Sequence, residues 1–424
     1  MSEITVQNSG NLKGEVEISG SKNSSLPILA ACLLTKGKNI VSNLPNLSDI
    51  NVMYSLLESL GARIDKHKTE TTVDCENITS CTTPYELVGK MRGSFLLAGP
   101  LLARMGRARI SLPGGCPIGT RPVDLHLKGF TAMGAEIEKG HGFVDMTAHK
   151  LRGAKIYLDF PSVGATENII MAAVLADGET IIENAAAEPE IVDLTDFLIK
   201  QGAKISGSGS DTIKIEGVEE LTPTIHKVIS DRIEAGTFMT AFAMTRGHGI
   251  IKNANYEHIK PVAAKLMEMG VEISEQADGS IKVNGERSLK TTDIKTLPFP
   301  GFPTDMQPLA VMLLTIAEGT SIVREDVWES RFQYVDQLQH MGANIKVNGK
   351  TAVIEGVKQL SGCPVRSTDL RAGAAMLIAG LIAKGTTELY NLTHIDRGYE
   401  NFESKLRVLG ADITRVNDVE DLLC

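Results

Sequence analysis

The sequence predicts an α/β protein of two domains, each built from three repeats of about seventy residues around very apolar helices. Two glycine series and a set of apolar stretches carry that prediction. In the first series a helix closes on glycine and feeds a strand, as in Leu60-Gly61-Ala62-Arg63-Ile64 and Met341-Gly342-Ala343-Asn344-Ile345. Gly61, Gly134, Gly202, Gly270, Gly342 and Gly410 stand 73, 68, 68, 72 and 68 residues apart. A glycine just past a helix end is the expected cap. The second series (Gly37, Gly106, Gly178, Gly247, Gly319, Gly385) lies out of phase, at spacings of 69, 72, 69, 72 and 66. Two independent markers at one period define repeats.

Each repeat reads in order as an apolar helix, a short strand, an amphipathic helix, then one or more strands. The apolar helices are expected near 25–34, 94–103, 169–176, 236–244, 309–317 and 373–383. A helix without a polar face is buried, so these belong at the centre of each domain with the strands and amphipathic helices outside. That is the reverse of an ordinary α/β barrel. Gly207-Ser208-Gly209-Ser210 sits between two short strands and reads as a hairpin turn.

Composition bounds the function. The 424 residues exceed one ordinary core. Apolar content of 42% marks a folded globular chain, and 4% aromatic content points to aliphatic cores. A net charge of −9 argues against nucleic-acid and polybasic membrane surfaces. MSEITVQNSG has no basic region leading into an apolar core, so no signal peptide is expected. No apolar run reaches membrane-spanning length. The six cysteines (32, 75, 81, 116, 363, 424) show neither CxxC nor regular spacing. A reducing cytoplasm is therefore expected, and no His/Cys/Asp cluster has metal-ligand spacing.

Polar residues concentrate where the apolar helices begin: Ser21-Lys22-Asn23, Lys90-Met91-Arg92, Ser162-Val163-Gly164, Ser230-Asp231-Arg232, Pro303-Thr304-Asp305 and Thr368-Asp369-Leu370-Arg371. Helix N-termini favour anions. Simple capping accounts for Ser162 and Thr304, and in part for Asp305 and Asp369. It does not account for Lys22, Arg92 and Arg371, cations that fit such a position only when something anionic joins them. Two further loops, Asp326-Val327-Trp328-Glu329-Ser330-Arg331 and His394-Ile395-Asp396-Arg397-Gly398-Tyr399-Glu400, place an arginine at corresponding points of successive repeats.

Between a strand-like run (108–112) and a helical pattern lies Pro113-Gly114-Gly115-Cys116-Pro117-Ile118-Gly119-Thr120-Arg121-Pro122-Val123-Asp124. Its glycines and prolines spell unusual backbone angles. Read from residues alone, it is either a tight connection or a reactive thiol beside a cation and a helix start. A cysteine hydrolase would need a histidine base, and His126 is the close one in sequence.

The Cys-loop, Gly20-Ser21-Lys22-Asn23, Phe302-Pro303-Thr304-Asp305-Met306-Gln307, Thr368-Asp369-Leu370-Arg371 and His394-Ile395-Asp396-Arg397-Gly398-Tyr399 occur in one order. With them the chain resembles the UDP-N-acetylglucosamine 1-carboxyvinyltransferase family, from about residue 3 to about residue 415. These are enolpyruvyl transferases of peptidoglycan synthesis, relatives of the EPSP synthases. The resemblance implies an inside-out α/β barrel of two domains, 22–229 and 1–21 joined to 230–424, with substrates bound between them. It implies transfer of enolpyruvyl from phosphoenolpyruvate to the sugar 3-hydroxyl, with phosphate released, as the first committed step of cell-wall synthesis. Lys22, Arg121 and Arg397 would hold phosphoenolpyruvate, with Arg92, Arg331 and Arg371 nearby. Cys116 would protonate the enol carbon, form a covalent adduct with phosphoenolpyruvate and be the target of fosfomycin. Asp305 would be the general base. Asn23, Asp305 and the backbone near Val327 would hold the sugar. Arg121, Pro122, Val123, Asp124, Ser162, Val163 and Gly164 would hold the uridine and diphosphate. Asp369 would assist elimination, with Asp231, Glu188 and Glu329 in supporting places. No metal or other cofactor, no nucleic acid and no membrane is implied. One departure is Phe160, where many family members carry a lysine for a phosphate. Enolpyruvyl transfer to shikimate 3-phosphate and a non-catalytic UDP-sugar sensor are the competing functions on the same fold.

Overall fold

Each of the six apolar stretches forms a helix with almost every residue buried. The structure, a computed structural model, describes residues 3–89, 91–112 and 123–416. The helices are Lys22–Ala31, Ala98–Met105, Val163–Ala173, Arg232–Met244, Gln307–Leu314 and Leu370–Gly380. Side-chain caps fix several starts: Ser21, Ser162, Asp231 and Asp369 each accept from backbone N–H groups of the first turn. Two of the helices open with 3-10 turns, Arg92–Leu97 and Thr304–Met306. Pro100 and Pro308 follow those turns and lack the N–H that an α-helical bond back to Leu96 or Thr304 would need.

The described residues form two compact units, 20–112 with 123–229, and 3–19 with 230–416. Each has its own apolar core. One gathers Leu29, Phe130, Ile170 and Leu194, the other Phe238, Leu309, Leu377 and Phe402.

Around these helices lie six sheets, five of four strands and one of three. Glu179–Glu183 illustrates their shared order: it pairs parallel with Lys155–Tyr157 on one side and antiparallel with Thr212–Glu216 on the other, and Lys204–Ser206 completes the sheet. The strand next to each helix alternates exposed and buried residues, as in Lys38–Ser42, Arg107–Ser111 and Thr320–Arg324. One face meets the helices and the other meets solvent. The three-stranded sheet, Arg107–Ser111 with Phe143–Thr147 and Glu136–Lys139, has a single parallel bridge from Thr82 to Arg109 where the others have a strand.

In two sheets the parallel strand comes from a distant part of the chain. Ile225–Lys227 pairs with Lys38–Ser42, and Lys13–Glu17 pairs with His248–Lys252. The last sheet takes Glu3–Val6 as an interior strand between Thr387–Tyr390 and Ile413–Val416. The turn through Gly207 and Ser210 links the Lys204–Ser206 and Thr212–Glu216 strands.

Candidate functional site

In the unit containing residues 230–416, four side chains singled out from sequence converge. Asp305, in the 3-10 turn Thr304–Met306, receives Arg331 at 3.4 Å on one oxygen. Its other oxygen receives Nε and Nη2 of Arg371, both at 3.3 Å. Asp369 lies 4.0 Å from Arg331 and also caps the Leu370–Gly380 helix through the N–H groups of Arg371 and Ala372. Arg331 and Arg371 are each 2% exposed, whereas the Asp305 side chain is 30% exposed. Burial works against the Arg371 charge, but Tyr399, Asp305 and Asp231 outweigh it and its pKa rises. The guanidinium also stands over the Tyr399 ring at 5.1 Å, and the Tyr399 hydroxyl lies 2.9 Å from that of Thr237. Among the described residues, Arg331 Nε and Arg371 Nη1 are buried donors with no hydrogen-bond partner.

Capping explains less here than sequence suggested. Asp231 and Asp369 are caps. Thr304 is not, because its hydroxyl donates to Glu325 at 3.1 Å and Pro303 occupies the cap position. Arg397 ends the short Thr393–Asp396 helix and is half-buried. Burial first, then the Arg397 charge, lowers the His394 pKa, while Asp369 raises it. Val327 lies in the turn after Thr320–Arg324, its N–H given to Glu325 at 2.9 Å. Glu329 is exposed.

The other unit holds a second set. Lys22 opens the Lys22–Ala31 helix and pairs with Asp49 at 3.3 Å, with Asn23 beside it in the same turn. Pro27 in that helix cannot return an N–H to the Asn23 carbonyl. The helix start is tied down from behind. The Ser24 hydroxyl donates to buried Asp193, which also accepts from Nε2 of His226 at 2.8 Å. Lys200 donates to the other imidazole nitrogen at 3.1 Å, which fixes the tautomer.

Ser162 caps the Val163–Ala173 helix, and Gly164 faces His126, whose Cε1 would lie 3.3 Å from a Cβ at that glycine. The Asn168 amide donates to His126 Nδ1 at 2.9 Å and to the Phe95 carbonyl at the same distance. Burial, then the Arg92 charge, push the His126 pKa down to about 3. His126 is thus a structural imidazole beside Arg92. The carboxylate of Asp124 turns to the exposed Lys139 at 3.4 Å. Val123 precedes the Asp124–Ala132 helix as a half-buried residue. Glu188 is buried just before the Pro189–Lys200 helix. There, burial and then Glu190 and Glu188 raise the Glu167 pKa. Phe160 is 38% exposed. Cys116, Arg121 and Pro122 lie outside the described residues.

Sequence reasoning missed Asp49, Asp193 and Glu325. Glu325 follows a strand, Asp49 is in a first helical turn and Asp193 is inside the Pro189–Lys200 helix, placements shared with many solvated acids. Their common signal is burial, which only the fold reveals. Among the described residues no group of three or more His, Cys, Asp or Glu is placed to hold a metal ion, and no helix is long and apolar enough to cross a membrane.

Comparison with known proteins extends over nearly the whole chain. The model of the EPSP synthase (3-phosphoshikimate 1-carboxyvinyltransferase) family matches residues 6–406. UDP-N-acetylglucosamine 1-carboxyvinyltransferase 1 of Caldanaerobacter subterraneus subsp. tengcongensis is 56% identical over 415 residues, 97% of this chain and 99% of that protein. UDP-N-acetylglucosamine 1-carboxyvinyltransferase 2 of Carboxydothermus hydrogenoformans is 55% identical, covering 99% and 100%. Among solved structures, the enolpyruvyl transferase NikO from Streptomyces tendae superposes with a TM-score of 0.88 at 26% identity, covering 98% of this chain and 99% of that one. EPSP synthase from Acinetobacter baumannii shares the fold, with a TM-score of 0.76 at 22% identity, over 98% and 100%.

Proposed function

The chain belongs to the EPSP synthase family, and we infer that within it the chain transfers the enolpyruvyl group of phosphoenolpyruvate to the 3-hydroxyl of UDP-N-acetylglucosamine, with release of phosphate. The observation that carries this is the identity of 56% and 55%, over almost full length, with two proteins named for that activity. The reaction commits the sugar nucleotide to peptidoglycan. The fold reading that accompanies it is an inside-out α/β barrel of six repeats, three in 22–229 and three in 1–21 with 230–424, and the shared strand order of the sheets supports it.

In the proposed mechanism Asp305 takes the proton of the sugar 3-hydroxyl as its oxygen bonds to C2 of phosphoenolpyruvate. Cys116 delivers a proton to C3 in the same step, giving a tetrahedral phospho-ketal. Elimination then returns a proton from C3 to the Cys116 thiolate, forms the C2–C3 double bond and breaks the bond from C2 to the phosphate oxygen, the departing phosphate taking the proton held on Asp305, and Asp369 assists. Asp305 suits the first role because it is partly exposed between two buried guanidiniums, so it is both charged and accessible. The unpartnered donors on Arg331 and Arg371 suit an oxygen-rich anionic ligand.

Lys22, Arg92, Arg121 and Arg397 are assigned to phosphoenolpyruvate. Asn23 and the Val327 backbone are assigned to the sugar, and Val123, Asp124, Ser162, Val163 and Gly164 to the uridine diphosphate. In the described conformation Lys22 and Asp124 are engaged by Asp49 and Lys139, so the proposed contacts require both to exchange partners. Fosfomycin, and phosphoenolpyruvate itself, are proposed to modify Cys116, and the reaction is assigned to the cytoplasm.

Phosphate release tests the reading. The purified chain should turn over with UDP-N-acetylglucosamine and not with shikimate 3-phosphate. A folded preparation inactive with the sugar nucleotide would overturn it. Intact mass after fosfomycin treatment should show one adduct, mapped to Cys116. Labelling at Cys32 or Cys363 instead would remove Cys116 from the mechanism.

A further inference from the structure

Glu325 has no exposed surface, yet its carboxylate is the meeting point of two pieces of the candidate site. Oε1 accepts the Val327 N–H at 2.9 Å, the Trp328 N–H at 3.0 Å and the Thr296 hydroxyl at 2.8 Å. Oε2 accepts the Thr304 hydroxyl at 3.1 Å. The Thr296 oxygen in turn receives the Asp326 N–H at 3.0 Å. Three consecutive backbone donors, those of 326, 327 and 328, are thus satisfied directly or through one hydroxyl by a single side chain.

Burying a carboxylate is costly unless its lone pairs are filled. Here four donors fill them, and charge-assisted bonds of this kind are the stronger ones. Thr296 continues the Ile294–Lys295 strand, whereas the donors at 304, 327 and 328 belong to segments without regular structure beyond a single 3-10 turn. The Val327 turn has no ladder to hold it, and Thr304 sits directly before Asp305. Glu325 gives the two segments a shared buried anchor, in addition to the Arg331–Asp305 pair at the loop's far end.

We propose that Glu325 is a positioning residue for the sugar nucleotide: one carboxylate sets both the Val327 turn and the Thr304–Asp305 turn, so the backbone that holds the sugar and the base that deprotonates its 3-hydroxyl keep a fixed spacing. The inference rests on the proposed function. It adds a residue that touches no substrate and acts through two that do. Phosphoenolpyruvate is assigned to Lys22, Arg92, Arg121 and Arg397, none of which lies in either turn.

The test compares Glu325→Ala with Glu325→Gln in the full chain. Glutamine can keep the Oε1 bonds and can donate to the Thr304 oxygen in place of accepting from it. For Glu325→Ala the KM for UDP-N-acetylglucosamine should rise and kcat should fall, each on the order of tenfold or more, because small misplacements at a reacting centre are costly. The KM for phosphoenolpyruvate should stay within about twofold. Glu325→Gln should recover most of the loss. Trp328 is the only tryptophan in the chain, so its fluorescence reads the turn directly. Its emission should shift in Glu325→Ala and return in Glu325→Gln. Equal rises in both KM values, or unchanged kinetics in Glu325→Ala, would overturn the inference. If the alanine variant does not fold, Thr304→Val decides. Loss of the Thr304 bond should lower kcat with the sugar nucleotide, and an unchanged kcat would count against the proposal. Absence of turnover by the parent chain would instead sink the assigned reaction, and the fluorescence comparison would still report on the anchor.

Discussion

Asp305 works under opposing demands, and its neighbours set the outcome of changing it. A base must be charged and reachable, and two buried arginines supply charge while its exposed flank supplies reach. Asp305→Asn preserves size and most hydrogen bonding but removes the proton acceptor. Under the proposed mechanism kcat should fall by about 10²- to 10⁴-fold, while direct calorimetric binding of UDP-N-acetylglucosamine persists. Arg371 answers differently. Buried on all sides, it is matched by Asp305 and stacked on Tyr399. Arg371→Met would leave Asp305 the Arg331 guanidinium and remove the one that also stands over the Tyr399 ring. Loss of one partner of a buried pair costs about 3–5 kcal/mol, and the partial exposure of Asp305 favours the lower end. Urea unfolding should show that loss. Arg371→Lys should not rescue, because an ammonium cannot reproduce a planar fork over an aromatic ring.

At the scale of elements, the apolar helices were legible because a helix with no polar side has one available place, and the mixed α/β character followed from their alternation with short strands. Strand order was not legible. Lys13–Glu17 and Ile225–Lys227 are short and pair with partners more than 180 residues away, which no local pattern encodes. Arg371, Asp305 and Asp369 stood out as charges at helix starts, and Arg331 as a loop arginine repeated one repeat later. Glu325, Asp49 and Asp193 did not stand out, since a lone acid in a loop or on a helix reads as solvated until its burial is known. Close packing behind the sheets gives a test at this scale. A Cβ at Gly356 would lie 1.7 Å from the Ala317 carbonyl oxygen, and one at Gly217 would stand equally close to that of Ala176. Both obstacles are backbone and cannot rotate away. Gly356→Ala and Gly217→Ala should each destabilise by about 1–3 kcal/mol or more, visible as a lowered Tm.

For the molecule as a whole, two titrating groups give the units opposite pH responses. In one unit His126 is driven down from 6.5 to about 3 by burial and by Arg92. A depressed pKa contributes stability that is present above 6.5 and lost as pH falls toward 3. In the other unit burial raises Glu234 from 4.5 to about 7, even though Lys405 at 2.6 Å pulls it back. A raised pKa contributes stability that is present below 4.5 and lost as pH climbs through 7. Each contribution amounts to a few kcal/mol at most. Relative to the parent, Glu234→Gln should therefore flatten the stability profile between pH 4.5 and 7, and His126→Gln should flatten it below pH 6.5. Thermal melts across that range check both. An unchanged slope in either variant removes that group from the account.

The pairing of Glu3–Val6 between Thr387–Tyr390 and Ile413–Val416 also orders events during synthesis. Residues 20–112 and 123–229 form one unit that can collapse while the ribosome is still at work. Glu3–Val6 leaves the exit tunnel long before its partners, because Ile4 pairs with Leu389 and Arg415. A nascent chain stalled before residue 387 would carry Glu3–Val6 without either partner strand, an unpaired β-edge that invites chaperones or aggregation.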